Sequence, residues 1–179
     1  MAESFVNSVT RAVGVVTSSS AGAVGVQTNL ITGISTTNVT VGDIVDNSNY
    51  IAGTKVSSIG VNSTTVDRDS TNTTAASSQT VKYLGLTTAY TSASGTKSII
   101  IGGTFANNTT SEVELTIHLY DNSSSTTPAI VSKVPLPNGS SFVLSDAGKT
   151  VLEGLDAIRV YCDTANALDV TLGILKGVS

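Results

Sequence analysis

His118 is the only histidine in the chain. It sits in NNTTSEVELTIHLYDNSSS, residues 107–125, among acids, a tyrosine and several hydroxyls. An imidazole can act as a general base when a reacting proton comes within hydrogen-bond reach. The local pattern points elsewhere. In SEVELTIHLY, Val113, Leu115, Ile117 and Leu119 alternate strictly with Glu114, Thr116, His118 and Tyr120. That is a half-buried strand with a solvated side, and His118 falls on the solvated side. A single histidine also excludes zinc sites of the His-rich kind. Cys162 is the only thiol, so no disulfide forms within the chain. In AIRVYCD it shares a face with Ile158 and Val160, as a small core hydrophobe would.

The remaining chemical candidates are weak. Asp67 and Asp69 flank Arg68 in DRD. Paired carboxylates can bind calcium or cleave glycosides. Calcium, however, takes roughly six to eight oxygens from a dedicated loop, and no such loop pattern is present. A solvated turn is the expected state of DRD. ASGTK and AGTK lack the spacing of a phosphate-binding loop, and no G-x-S-x-G is found. The sequence therefore assigns no catalytic, cofactor-binding or metal-binding residue and no cofactor, and the chain is expected not to be an enzyme.

The elements that carry these residues are strands. TKSIIIGGTFAN is an apolar run suited to a central strand. SEVELTIHLY follows, then the polar turn DNSSSTTP closed by Pro128. AIVSKVPLP contains Pro135 and is expected to lie at a sheet edge or to leave the sheet at Pro135. NGSS is a turn, and FVLS, KTVLE, DAIRVYCD and ALDVTLGILK complete the series. The stretch from Thr28 to Tyr83 differs. Its strand candidates NLITGI, GDIVD, TKVSSIG, TTVDRD and QTVKY are short and separated by Gly, Asn and Asp, as tight turns require. The fold expected is all-β: an antiparallel β-sandwich or jelly roll with an inserted small β-domain. Residues 1–27 are expected to be an N-terminal arm or first strand of the sandwich, 28–84 the inserted module, and 85–179 the main sandwich.

Composition fits this class. Of 179 residues, 40 % are hydrophobic, enough for a core, while only 12 % are charged, about half the usual share. Val, Ile and Thr carry the pattern, and their branched side chains suit a pleated sheet. The net charge is −4 and the pI about 4.7. The nine Lys and Arg are scattered singly, so no basic stripe exists to neutralise phosphates, and nucleic acid is not an expected partner. No window approaches a membrane span, and the start reads without a signal peptide. Asn38, Asn62, Asn72, Asn107, Asn108, Asn122 and Asn138 each begin an N-x-S/T triplet. In a chain so rich in Asn, Ser and Thr these follow from composition, not from glycosylation.

SFVNSVTRAVGVV, then TTAYTSASGTKSIIIGGTFANNTTSEVELTIHLYD, and later SKVPLPNGSSFVLSDAGKTVLEGLDAIRVYCDTANALDVTLGIL resemble small β-sandwich virion structural proteins of tailed bacteriophages. ITGISTTNVTVGDIVDNSNYIAGTKVSSIGVNSTTV resembles a β-module of phage fibre and decoration proteins, inserted here after the first strand. The resemblance covers most of the chain and rests on turn and core patterns. It implies a non-enzymatic virion protein on the particle exterior, assembled in the host cytoplasm, with capsid decoration (cement) foremost. A neck, head–tail connector or tail accessory position is the alternative. It implies other virion proteins as partners, the major capsid protein or neck and tail proteins, and a homo-oligomer, with no membrane. A carbohydrate-binding or adhesin module is the competing class. Sugar sites present aromatic platforms, and Tyr50, Tyr83 and Tyr90 would be the first to test.

Overall fold

The computed structural model describes residues 3–51, 53–144 and 149–178. Among them the chain forms fifteen strands and no helix. Every strand pair is antiparallel. The fold is thus all-β, as the alternation requires. Strand β1 (Ser4–Val13) belongs to a larger unit made of Met1–Val13, Leu86–Cys162 and Asn166–Ser179. The smaller unit is Gly14–Gly85 with Asp163–Ala165.

The smaller unit holds β2 (Thr17–Val24), β3 (Leu30–Thr32), β4 (Ile44–Asp46), β5 (Val56–Gly60), β6 (Ser63–Val66) and β7 (Ala76–Leu84). They form one six-stranded sheet in the order β4-β7-β2-β3-β6-β5. The insert therefore begins earlier than residue 28. TSSSAGAV, which the sequence places with the segment 1–27, is a central strand of the small sheet. The core is ten buried side chains, among them Val24, Ile31, Val45, Val66, Val81 and Tyr83. So small an apolar core leaves weight on buried polar bonds. Tyr83 and Thr64, both fully buried, share a hydrogen bond of 2.8 Å. Tyr50 donates to the Thr28 carbonyl at 3.1 Å.

The larger unit continues with β8 (Thr87–Thr91), β9 (Lys97–Asn107), β10 (Val113–Tyr120), β11 (Ala129–Leu136), β12 (Ser141–Leu144), β13 (Thr150–Leu152), β14 (Ala157–Cys162) and β15 (Leu168–Val178). One sheet runs β1-β15-β9-β12, with β13 also on β9, and the other runs β11-β10-β14-β8. Their inner faces share one core. It includes Leu115 and Ile117 from β10, Ile158, Val160 and Cys162 from β14, Phe105 from β9, and Val170, Leu172 and Ile174 from β15. This is a two-sheet sandwich. A one-residue slip of β15 would turn out Leu172 and Ile174, at roughly 1.5–3 kcal/mol per large side chain, so the register is fixed. β9 is interior to its sheet and β11 is an edge, as its prolines require. Ser145 of FVLS lies outside the described residues.

Local devices set the strand starts. Asp43 accepts the Thr40 amide through Oδ2 at 2.8 Å and the Thr40 hydroxyl through Oδ1 at 2.9 Å. Its own amide bonds the Thr40 carbonyl at 3.2 Å. Asp156 repeats the pattern on Glu153, with 2.9 Å to the amide and 3.1 Å to the carbonyl. Each aspartate closes a four-residue turn and launches a buried strand, β4 or β14. A Cβ on Gly85 would overlap the Asp43 carboxylate, so only glycine fits there.

Candidate contact surfaces

His118 lies on the outer face of the four-stranded sheet, half-buried, opposite Arg159 on β14 and Ala129 on β11. Its Nδ1 bonds the Thr127 carbonyl at 2.9 Å, which gives that nitrogen the proton and ties β10 to the turn before β11. Asp121 opens this turn. Its Oδ1 accepts the Ser123 hydroxyl at 2.7 Å and the Ser123 and Ser124 amides. The Ser123 and Ser124 bonds hold its carboxyl below the usual carboxylate range. These are the bonds of a turn, and they leave His118 a structural tie.

Around His118 the outer face carries Tyr120, Arg159 and Tyr161, all half-buried. The Arg159 guanidinium stacks 3.8 Å above the Tyr120 ring, and Tyr161 lies opposite Thr116. Thr116 departs from the alternation, since it is buried. The cause is a bulge in β11: Leu115 pairs with Val134 and Ile117 with Val131, leaving one extra residue. Lys133 takes a positive φ of 51° there, and its amide bonds the Thr116 hydroxyl at 3.0 Å. The bulge and Pro135 make β11 a poor template for another strand.

The outer face of the five-stranded sheet is apolar. Phe5, Leu175, Ile99 and Val151 lie in one cross-strand row. Val9, Thr171, Thr104 and Val143 form a second, parallel row. Between them Asn7 faces Gly173 and Gly173 faces Gly102, with Ile101 in a bulge beside them. The glycine pair leaves a depression of about 500 Å³ between the two rows. Phe5 is 76 % exposed, Val9 63 %, Val143 59 % and Val151 51 %. This face was not legible as exposed. TKSIIIGGTFAN reads as a central strand and ALDVTLGILK as a further strand, and only the register reveals which residues point outward.

The other sequence candidates do not converge. Cys162 is buried in the larger core. Asp67, Arg68 and Asp69 are exposed after β6, and Asp67 accepts the Lys55 amide at 2.8 Å. Tyr50, Tyr83 and Tyr90 are buried, so none offers a ring face for a sugar. Burial raises the Tyr50 hydroxyl to about 12. Three of the N-x-S/T asparagines use their amides internally, Asn138 Nδ2 donating to the Thr110 carbonyl at 3.2 Å. Asn107 Nδ2 serves the carbonyls of Ser111, Leu136 and Pro137, and Asn72 Nδ2 those of Val24 and Thr74. Among the described residues no three His, Cys, Asp or Glu side chains gather as a metal ion needs. No protein-family model, curated protein or solved structure matches the chain.

Proposed function

We propose that the protein is a non-enzymatic structural component of a tailed-bacteriophage virion, worn on the particle exterior as a capsid decoration protein that strengthens contacts between other subunits. The observation that carries this reading is the outer face of the four-stranded sheet. There Tyr120, Arg159 and Tyr161 stand together on a rigid sheet. Tyr and Arg are enriched among the side chains that dominate binding energy at protein interfaces, and the Tyr120 ring holds the Arg159 guanidinium in place. His118 beside them is spent on a turn carbonyl, which suits contact better than catalysis. In a symmetric shell each copy needs only a modest contact, since many act together. The sandwich is the anchoring lobe in this reading and the inserted unit the outward one. The partners are major capsid protein or neighbouring virion proteins.

The test is to add the purified chain to phage heads lacking it and measure what sediments with them. Saturable coating, lost in a Tyr120→Ala, Tyr161→Ala double variant that keeps its β-sheet spectrum, supports decoration. Binding confined to necks or tails, located by a low-resolution particle map, moves the protein to a connector or tail accessory position. Absence of binding to any particle fraction sinks the reading.

A further inference from the structure

We propose that the apolar outer face of the five-stranded sheet is a homotypic interface, and that its occupant is the same face of a second copy of this chain. The proposal names the surface behind an assembly role but rests on sheet geometry alone, not on the virion reading. Among the described residues, four of the five exposed large hydrophobics of the larger unit, Phe5, Val9, Val143 and Val151, lie on this one face, and the fifth is Leu155. Ile99, Ile101 and Leu175 join them, half-buried. An apolar patch so concentrated marks an interaction surface.

Two features select a second copy. The first is charge. The chain carries −4, so two copies repel unless they meet where no net charge lies. The two apolar rows and the trough between them contain no charged residue. Charges sit only at the margins: Arg11 pairs with Asp169 at 3.6 Å and Lys97 with Glu153 at 3.4 Å, while Glu3 and Lys149 are exposed just before β1 and β13. The centre of the face has no charge to offer an oppositely charged partner and none to oppose its own copy. The second is relief. An apolar row, a glycine trough and another row form a surface that complements itself under a two-fold axis. The Phe5 row of each copy enters the Gly102–Gly173 trough of the other, as an isologous contact requires. Sheets stack in this way at about 10 Å.

Area sets the strength. Four strands spaced about 4.8 Å apart, over seven residues at about 3.4 Å, give a footprint of about 450 Å² per copy before side-chain relief. That is about 900 Å² for the pair, below the roughly 1,200 Å² at which standard specific interfaces begin, so the contact is a weak one. The dimer is therefore concentration-dependent rather than obligate.

The experiment is sedimentation equilibrium of the full chain over a wide concentration series. The expected mass rises from the 18.1 kDa of one chain to twice that value. Gly173→Glu places a charge in the trough. Its Cβ would meet nothing nearer than the Gly102 carbonyl at 3.8 Å, so the fold is retained, and this variant is expected to stay monomeric. Val143→Lys, on the second row, is expected to do the same with an unchanged β-sheet spectrum. Val61→Lys, on the smaller unit at 93 % exposure, is expected to dimerise like the parent. A parent chain that stays at one mass throughout overturns the proposal, and so does a Gly173→Glu variant that dimerises equally well. If the parent is monomeric and the face variants fail to coat particles, the face serves an unlike partner and the homotypic reading is wrong. Dimerisation without particle binding leaves this interface standing and removes only the decoration role.

Discussion

Arg159 holds its guanidinium 3.8 Å above the Tyr120 ring, while its Nε is buried without a hydrogen-bond partner among the described residues. The two effects oppose each other. The stacking contributes about 0.5–2 kcal/mol, and an unsatisfied buried donor costs about 1–3 kcal/mol. Arg159→Met keeps the stem and removes the orphan N–H. It is expected to leave stability within about 1 kcal/mol of the parent while weakening particle binding. Urea denaturation together with the sedimentation assay on phage heads separates the two.

Tyr83→Phe tests the polar bond inside the small core. It leaves the fully buried Thr64 hydroxyl without its 2.8 Å partner. A loss of about 1–2 kcal/mol is expected. Thr64→Val in the Tyr83→Phe background should recover part of it, because replacing both partners by apolar groups can be nearly neutral. Denaturant melts of the four proteins of this cycle measure the coupling.

Asn107 holds two segments of the larger unit together. Its Nδ2 serves three carbonyls and its Oδ1 accepts the Thr109 amide and hydroxyl, each at 2.8 Å. Asn107→Ala abandons several buried groups at once and is expected to cost about 3 kcal/mol or more. Hydrogen exchange should show the loss first in the 107–111 loop and the end of β11.

Asp43 gives the smaller unit a pH dependence. Burial raises its pKa above 3.8, against the lowering effect of the Thr40 bonds. The folded state then binds the proton more tightly than the unfolded chain does. Its contribution is fully present below the ordinary carboxylate pKa and is lost as pH rises through the raised folded value. Asp43→Asn is expected to flatten this part of the stability–pH curve, measured by thermal melts from acid to neutral pH. A variant with the same slope as the parent would show that another group titrates there.

Two glycines of one sheet should respond oppositely to alanine. A Cβ on Gly103 would come within 2.6 Å of Leu172 Cδ2 and 3.3 Å of the Thr171 carbonyl, whereas Gly173 has open space. Gly103→Ala is expected to cost about 1–3 kcal/mol through overpacking. Gly173→Ala is expected to be neutral or slightly stabilising, through the lower entropy of the unfolded chain. Parallel denaturant curves decide it.

The larger sandwich was legible because its strands alternate over long runs. Val113 to Tyr120 shows the period plainly, and Thr116 escapes it only because the Lys133 bulge needs an acceptor. The start of the insert was hidden. SFVNSVTRAVGVVTSSSAGAVGV has the same composition on both sides of Gly14, and the positive φ of 126° at that residue leaves no mark that any other glycine would lack. The turns closed by Asp43 and Asp156 were visible only as Gly and Asp clusters, since the pairing of each aspartate with a residue three positions back depends on geometry. NGSS was rightly a turn, with Ser140 bonding Pro137. It joins β11 to β12 across the two sheets instead of closing a hairpin. The contact surfaces were the least legible, because their exposed Phe5, Val9, Val143 and Val151 come from three strands, β1, β12 and β13, that only the pairing brings to one face.

β15 is the last of the fifteen strands in chain order, yet it lies between β1 and β9. β1 therefore cannot pair until residues 168–178 have been made. The smaller unit is nearly continuous in the chain, and its entry and exit strands pair with each other through Thr17 and Tyr83. It can complete its sheet while the remainder is still being synthesised. The order of synthesis thus allows the insert to form before its host, and a stop codon ahead of residue 168 would leave β1 without the strand it pairs with.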